Sequence, residues 1–315
     1  MQRIEFELTP ERPYCLEESA ARLVRFSQLV DHLDDGCYRR CLTLGGDLAL
    51  LEARQLGSAA RAVLRIAIVG DFNDAVEARR DAEAFVRRSL GAGCKLRPFY
   101  RAMKDDRLLA DSIKAHHGMA LCGGATLFEA IVTAILAQQI NLAFAYSIYD
   151  VLTRRYGEKL VVDGTMYRAF PTAQRMSKVR ESTLRTLRLT AAKAGTIHRM
   201  AKAFAVGELV QSELQKLDDE DVIERLVTYK GIGRWTAETA LIRGLGRVDV
   251  FPAGDLGVVK KIAIEMLGRS QVAKEAEMRA FSERWRPHRS LALIYAYAVL
   301  YGGPAKGPAS SEANP

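Results

Sequence analysis

Hydrophobic and polar positions repeat with two different periods along this chain. In Ile4-Glu5-Phe6-Glu7-Leu8 the period is two, which predicts a strand. Cys41-Leu42-Thr43-Leu44 and Leu48-Ala49-Leu50-Leu51 flank a Gly45-Gly46-Asp47 turn and predict a hairpin, with a further strand over 62–69. Glu17–Val30 and Asp74–Leu90 carry helical spacing instead. Residues 1–100 are therefore expected to form a small α+β domain around an antiparallel sheet. From about residue 101 the helical period takes over. Thr126-Leu127-Phe128-Glu129 has the form of a capping box, and apolar residues follow at 128, 131, 132, 135 and 136. Further helical runs are predicted over 141–156, 172–187, 191–206, 218–229, 234–245, 255–268, 271–284 and 288–301, giving an all-α domain over 101–301. The tail 302–315, rich in Gly, Pro, Ala and Ser, is too poor in apolar side chains to pack and is expected to be disordered.

With 315 residues, 49% of them hydrophobic and 27% charged, the chain is long enough to bury two cores. It has no apolar run of membrane-spanning length, and Met1-Gln2-Arg3-Ile4-Glu5 lacks the layout of a signal peptide. No membrane association and a cytoplasmic location are expected, at the nucleoid if the source is bacterial. Five cysteines, all before residue 123, favour free thiols over a disulfide framework, and no second pair or neighbouring histidine completes a metal site with Cys37 and Cys41. The formal charge of +8 is distributed unevenly. Residues 1–100 hold 15 basic and 15 acidic side chains, whereas 101–315 hold 31 and 23. The excess fits either a polyanion-binding surface or scattered solvated side chains, and charge by itself does not choose between them.

The segment Leu226–Ala237 changes that balance. A helical run ends at Tyr229, Gly231-Ile232-Gly233 makes a tight turn, and a second helix begins at once. Backbone amides at such a helix N-terminus can approach an anion closely, the helix dipole favours negative charge, and Lys230 and Arg234 flank the turn. A DNA phosphate, gripped without reading sequence, fits this arrangement. A plain connection between two helices is the simpler alternative, but Thr236 and Ala237, small enough for close helix packing, lengthen the match.

Together with Asp249-Val250-Phe251-Pro252-Ala253-Gly254-Asp255, this segment resembles the helix-hairpin-helix DNA glycosylases, and within them the bacterial 3-methyladenine DNA glycosylase II branch. The resemblance extends to Phe128–Tyr156 and Trp285–Ser290. It implies a TATA-binding-protein-like α+β domain followed by a helix-hairpin-helix glycosylase domain that encloses a base pocket. Asp255 matches the catalytic aspartate of these enzymes, a role suited to a carboxylate set against an oxocarbenium-like sugar; its place before Leu256-Gly257-Val258-Val259 would equally suit a helix N-cap. Trp235 and Tyr297 match pocket aromatics, whose faces attract electron-poor methylated purines, although Tyr295, Tyr297 and Tyr301 also trace the inner stripe of a helix. Gln139 matches the side chain that fills the stack when a base is flipped, with Gln138 as its neighbour in the same break.

In the glycosylase/lyases of this superfamily a lysine attacks the sugar from the position that Trp235 holds here, so the resemblance implies a monofunctional enzyme of base excision repair that leaves an abasic site. Endonuclease III-like members bind an iron–sulfur cluster through C-terminal cysteines, which this chain lacks, so no such cofactor is implied. A structural Na⁺ or K⁺ on the backbone carbonyls of Val227, Tyr229 and Ile232 is implied instead. The expected partner is double-stranded DNA containing damaged bases, bound by a monomer. The alternatives are an oxidised-base glycosylase/lyase of the 8-oxoguanine type and a non-catalytic helix-hairpin-helix DNA-binding protein.

Overall fold

A computed structural model describes residues 1–268 and 270–301; the expected tail at 302–315 lies outside the described residues. Five antiparallel strands, β1 (Gln2–Leu8), β2 (Asp31–Asp34), β3 (Cys37–Leu44), β4 (Asp47–Leu56) and β5 (Val63–Gly70), form a sheet of order β1-β5-β4-β3-β2. The pairing runs from Gln2 opposite Gly70 to Leu8 opposite Leu64, so Phe6 and Leu8 face inward with Leu64, Ile66 and Ile68. Helices Leu16–Val24 and Ala75–Ser89 bring Leu16, Ala20, Phe85 and Val86 onto that face. Asp74 starts the second of these helices, its carboxylate accepting from the amides of Val76 and Glu77.

Two departures from the sequence expectation share one cause. The first helix ends at Val24, six residues early, because Asp31–Asp34 is a strand that turns into β3 through Asp35 and Gly36, both at positive φ. The helical part likewise contains a strand pair, β6 (Lys159–Val162) and β7 (Thr165–Arg168), joined by Asp163 and Gly164 at φ 50° and 77°. Asp-Gly turns of this kind match the twist of an antiparallel hairpin. The second hairpin lies on the outer face of the large sheet, where Val162 packs with Leu50 and Val69.

The rest of the described residues are mainly helical and share one core. Leu127–Ala137 is buried along all but its last residue and runs through the centre, against Leu142–Tyr156, Ala191–Ala205 and Arg234–Ala240. The Arg234–Ala240 helix continues to Leu245 with a widened last turn, and Gly257–Met266 is also wound wider than an α-helix. Where one long helix was expected over 172–187, the chain makes two short ones, Ala173–Ser177 and Glu181–Arg185.

The two parts are joined by a buried ion network. Arg40 on β3 is 1% exposed and donates to Asp31 (2.8 Å) on β2 and to Glu129 (2.5 Å) on the central helix. Glu129 also accepts from Tyr149 Oη (2.8 Å) and the Ala125 amide (3.0 Å). The predicted capping box is therefore half formed: Thr126 Oγ1 accepts from the Glu129 amide, but the Glu129 carboxylate serves the domain junction.

Candidate active site

Asp255 closes the Phe251–Asp255 loop, its amide donating to the Pro252 carbonyl at 2.9 Å. Buried Val258, Ile262 and Ala263 hold the following helix against the core. The half-buried carboxylate accepts from four directions. Oδ1 takes the amides of Gly257 (2.7 Å) and Val258 (3.4 Å) and the Tyr297 hydroxyl (2.9 Å); Oδ2 takes the Trp235 indole N–H (2.8 Å). Asp255 is thus a helix cap and a point of convergence for two aromatic side chains at once. Gly257 keeps the space open, since a Cβ there would lie 2.9 Å from the Tyr297 hydroxyl and 3.0 Å from Asp255 Oδ1. Sequence reasoning passed over Gly257, although a glycine two residues after a capping aspartate was a visible signal.

Tyr297 reaches the carboxylate because the Arg289–Tyr301 helix is pinned to the segment that leads to Asp255. Ser290 exchanges hydrogen bonds with both backbone groups of Val250, and Arg289 clasps Asp249. The expected tyrosine stripe divides: Tyr295 is fully buried and bonded to Tyr100 and the Met119 carbonyl, while Tyr297 is half-buried at Asp255. The side chain of Tyr301 lies outside the described residues. Thr239, one turn beyond Trp235 on the same helix, is buried.

In the turn that precedes Trp235, the two glycines have different reasons to be glycine. Gly231 sits at φ +96°, and a Cβ there would meet Thr196 Oγ1 at 2.0 Å. Gly233 is exposed, has negative φ, and its Cβ would meet nothing within 4 Å. Gly231 is thus required by the fold, and Gly233 leaves an open amide-lined approach. Gly231→Ala should lower stability by about 2 kcal/mol or more, from a left-handed backbone and a steric clash together. Gly233→Ala should leave the melting temperature unchanged and, by setting a methyl group in the path of the phosphate, weaken binding to any DNA duplex about tenfold, as a charge-assisted hydrogen bond is lengthened. Thermal unfolding and titration of unrelated duplexes check both; loss confined to one sequence would contradict a backbone grip.

Lys230 is exposed beside the turn. Arg234 departs from expectation: its guanidinium is held by Glu220 and by the buried Glu238, which also accepts from Arg279 (2.8 Å). It braces the second hairpin helix to its neighbours and is not a spare cation for phosphate. Ile232 is buried, and its amide donates to the Tyr229 carbonyl at 3.0 Å. Val227 ends its helix, where carbonyls lack intrahelical partners.

The break after the central helix separates the two glutamines. Gln138 donates to the Gly231 carbonyl (3.1 Å) and to Thr236 Oγ1 (3.0 Å), so it ties the break to the hairpin. Gln139 is exposed at φ +55°.

Residues 132–287 match the HhH-GPD superfamily base excision DNA repair protein family. The DNA-3-methyladenine glycosylase of Bacillus subtilis is 33% identical over 206 residues, covering 65% of this chain and 68% of that protein. DNA-3-methyladenine glycosylase 2 of Escherichia coli is 33% identical over 181 residues, 58% of this chain and 60% of that one, so the chain spans less than two thirds of the latter. Among solved structures, the 3-methyladenine DNA-glycosylase from Archaeoglobus fulgidus superposes with a TM-score of 0.77 at 28% identity, covering 96% of this chain and 99% of its own.

Proposed function

Because this chain belongs to the HhH-GPD superfamily of base excision DNA repair proteins, we propose that it is a monofunctional DNA glycosylase that hydrolyses the N-glycosidic bond of alkylated purines flipped from duplex DNA. The observation that carries this reading is the Asp255 carboxylate, held between the Trp235 indole and the Tyr297 hydroxyl, with Trp235 standing on the helix that opens at a glycine turn suited to a phosphate. Cleavage builds positive charge on the deoxyribose, and a carboxylate already oriented by four donors stabilises it without reorganising in the transition state. Water then completes the reaction and an abasic site remains. An alkylated purine is electron-poor and often cationic, so stacking on Trp235 and Tyr297 would select it and its own charge would ease departure.

In this reading Lys230 and the amides of Gly231 and Gly233 hold the backbone, and Gln139 fills the space left by the extruded base. The cost of a left-handed backbone at an exposed, non-glycine residue suits a side chain kept for contact with a partner. A monovalent cation on the carbonyls of Val227, Tyr229 and Ile232 would fit the turn, where one of them ends a helix, and would stiffen it. The protein would act on DNA as a monomer.

The oxidised-base alternative needs an amine at the sugar, and position 235 holds an indole whose N–H is committed to Asp255. Borohydride added during turnover on damaged duplex is therefore expected to trap no covalent protein–DNA adduct. An adduct mapped to any lysine of this chain would overturn the monofunctional assignment.

A further inference from the structure

Lys193 stands outside the residues assigned so far, on the Ala191–Ala205 helix. Its ammonium donates to the carbonyls of Leu136 and Gln138, both at 2.8 Å. The first of these is an ordinary contact between a cation and the carbonyls at a helix C-terminus. The second has a more specific consequence. Gln138 has φ −55° and ψ 124°, and Gln139 follows at φ +55°. These are close to the angles at the two central positions of a type II turn, which differs from type I by a flip of the peptide between those positions. The oxygen of that peptide is the Gln138 carbonyl, the atom that Lys193 holds. Flipping it would break this hydrogen bond, return Gln139 to negative φ and aim its side chain elsewhere.

The same helix also holds the hairpin. Arg199 donates to the Lys230 carbonyl at 2.8 Å, and Thr196 Oγ1, which is shared with the Ala192 carbonyl of its own helix (2.9 Å), lies 3.2 Å from it. One rigid element, over less than two turns, therefore fixes both the turn that carries Gln139 and the turn that faces phosphate. Gln138 closes the link from the other side through the Gly231 carbonyl and Thr236.

We propose that Lys193 is a positioning residue for base extrusion: by latching the 138–139 peptide it aims Gln139 at a fixed distance from the phosphate-gripping hairpin, without itself touching the flipped base. This rests on the assignment of Gln139 as the side chain that enters the stack.

Lys193→Met keeps the aliphatic stem and removes the donor. It would be compared with Gln139→Ala and the double variant on an N-methylpurine duplex, with the lesion either paired or opposite a mismatch that lowers the cost of extrusion. Lys193→Met is expected to slow single-turnover excision of the paired lesion on the order of tenfold, as a left-handed residue loses its latch, and to affect the mismatched lesion much less. A 2-aminopurine beside the lesion should show a matching loss of extrusion. In the double variant the paired-lesion rate should equal that of Gln139→Ala alone, since the latch acts only through that side chain. Lys193→Leu, which likewise lacks a donor, replaces Lys193→Met in the same comparison if the latter does not fold.

Equal loss on both duplexes, or further loss in the double variant, would mean that Lys193 acts through stability or a phosphate contact, and would overturn the proposal. Wild-type behaviour of Lys193→Met alongside a defective Gln139→Ala would overturn the latch while leaving the stack-filling assignment intact. Wild-type behaviour of Gln139→Ala would remove that assignment and the latch with it.

Discussion

Asp255→Asn should excise an N-methylpurine at least about 100-fold more slowly under single-turnover conditions, while still folding. The amide oxygen can keep accepting from the Gly257 and Val258 amides, so the cap on the following helix survives. The amide nitrogen must then face the Trp235 indole, where two donors meet and the 2.8 Å hydrogen bond is lost. A modest stability cost follows, about 1 kcal/mol for one such bond. The large effect falls on the rate, because the missing charge interacts mainly with the sugar cation of the transition state and little with bound duplex. Affinity for lesion DNA should therefore change far less than the rate. Thermal unfolding, binding and excision on the same variant separate these contributions. A stable variant that excises at the wild-type rate would reduce Asp255 to a helix cap.

The largest expected loss of stability lies elsewhere, at Arg40→Met. Arg40 is almost completely buried, and Asp31 and Glu129 depend on it for neutralisation across the junction between the sheet and the central helix. Burial already raises the pKa of Asp31 above the ordinary carboxylate value, with Arg40 opposing that effect. Removing the guanidinium strands two carboxylates in a low-dielectric site, and breaking such a pair typically costs about 3–5 kcal/mol. The melting temperature should fall on the order of 10 °C. Replacing Asp31 and Glu129 by their amides in the same chain should recover a substantial part of that loss, because no net charge is then buried without a partner. Differential scanning calorimetry of the single and triple variants tests this. An unchanged melting temperature for Arg40→Met would show that water or rearrangement compensates the network.

Much of the architecture was legible because it follows from local rules. Period-two segments became β1, β3, β4 and β5, and most helical runs from 126 onward, the divided one over 172–187 apart, fall near their predicted limits. The missed strands were β2 and the β6–β7 hairpin, each announced by an Asp-Gly pair at positions 35–36 and 163–164 but too short for periodicity to reveal. Glu129 shows how a local pattern can be right about an element and incomplete about a residue. Its spacing from Thr126 marked the helix start, yet its carboxylate is drawn to Arg40, 89 residues away in sequence. No local window contains that information.

The site divides in the same way. Asp255 and the glycine turn lie within 25 residues of each other and carry their own signatures, whereas the contact of Tyr297 with Asp255 depends on how the last helix packs. Arg234 could not be distinguished from a phosphate-binding cation until Glu220 and Glu238 were seen around it. Gln138 and Gln139 are adjacent and chemically identical, and only the backbone separates them: one side chain turns in to the hairpin and the other is presented outward from a left-handed turn. Lys193, Thr196 and Arg199 carried no sequence signal, because lysine and arginine on a helix are ordinarily solvated and a threonine among alanines is unremarked.

The central claim is that this chain releases an alkylated purine by hydrolysis and leaves the strand whole. The most direct test is single-turnover reaction of the wild-type protein with an end-labelled duplex holding one N-methylpurine, following free base and strand integrity together. Free base should accumulate with the strand intact, and scission should occur only after hot alkali is added. Strand scission without alkali, or no release of base at all, would contradict the account.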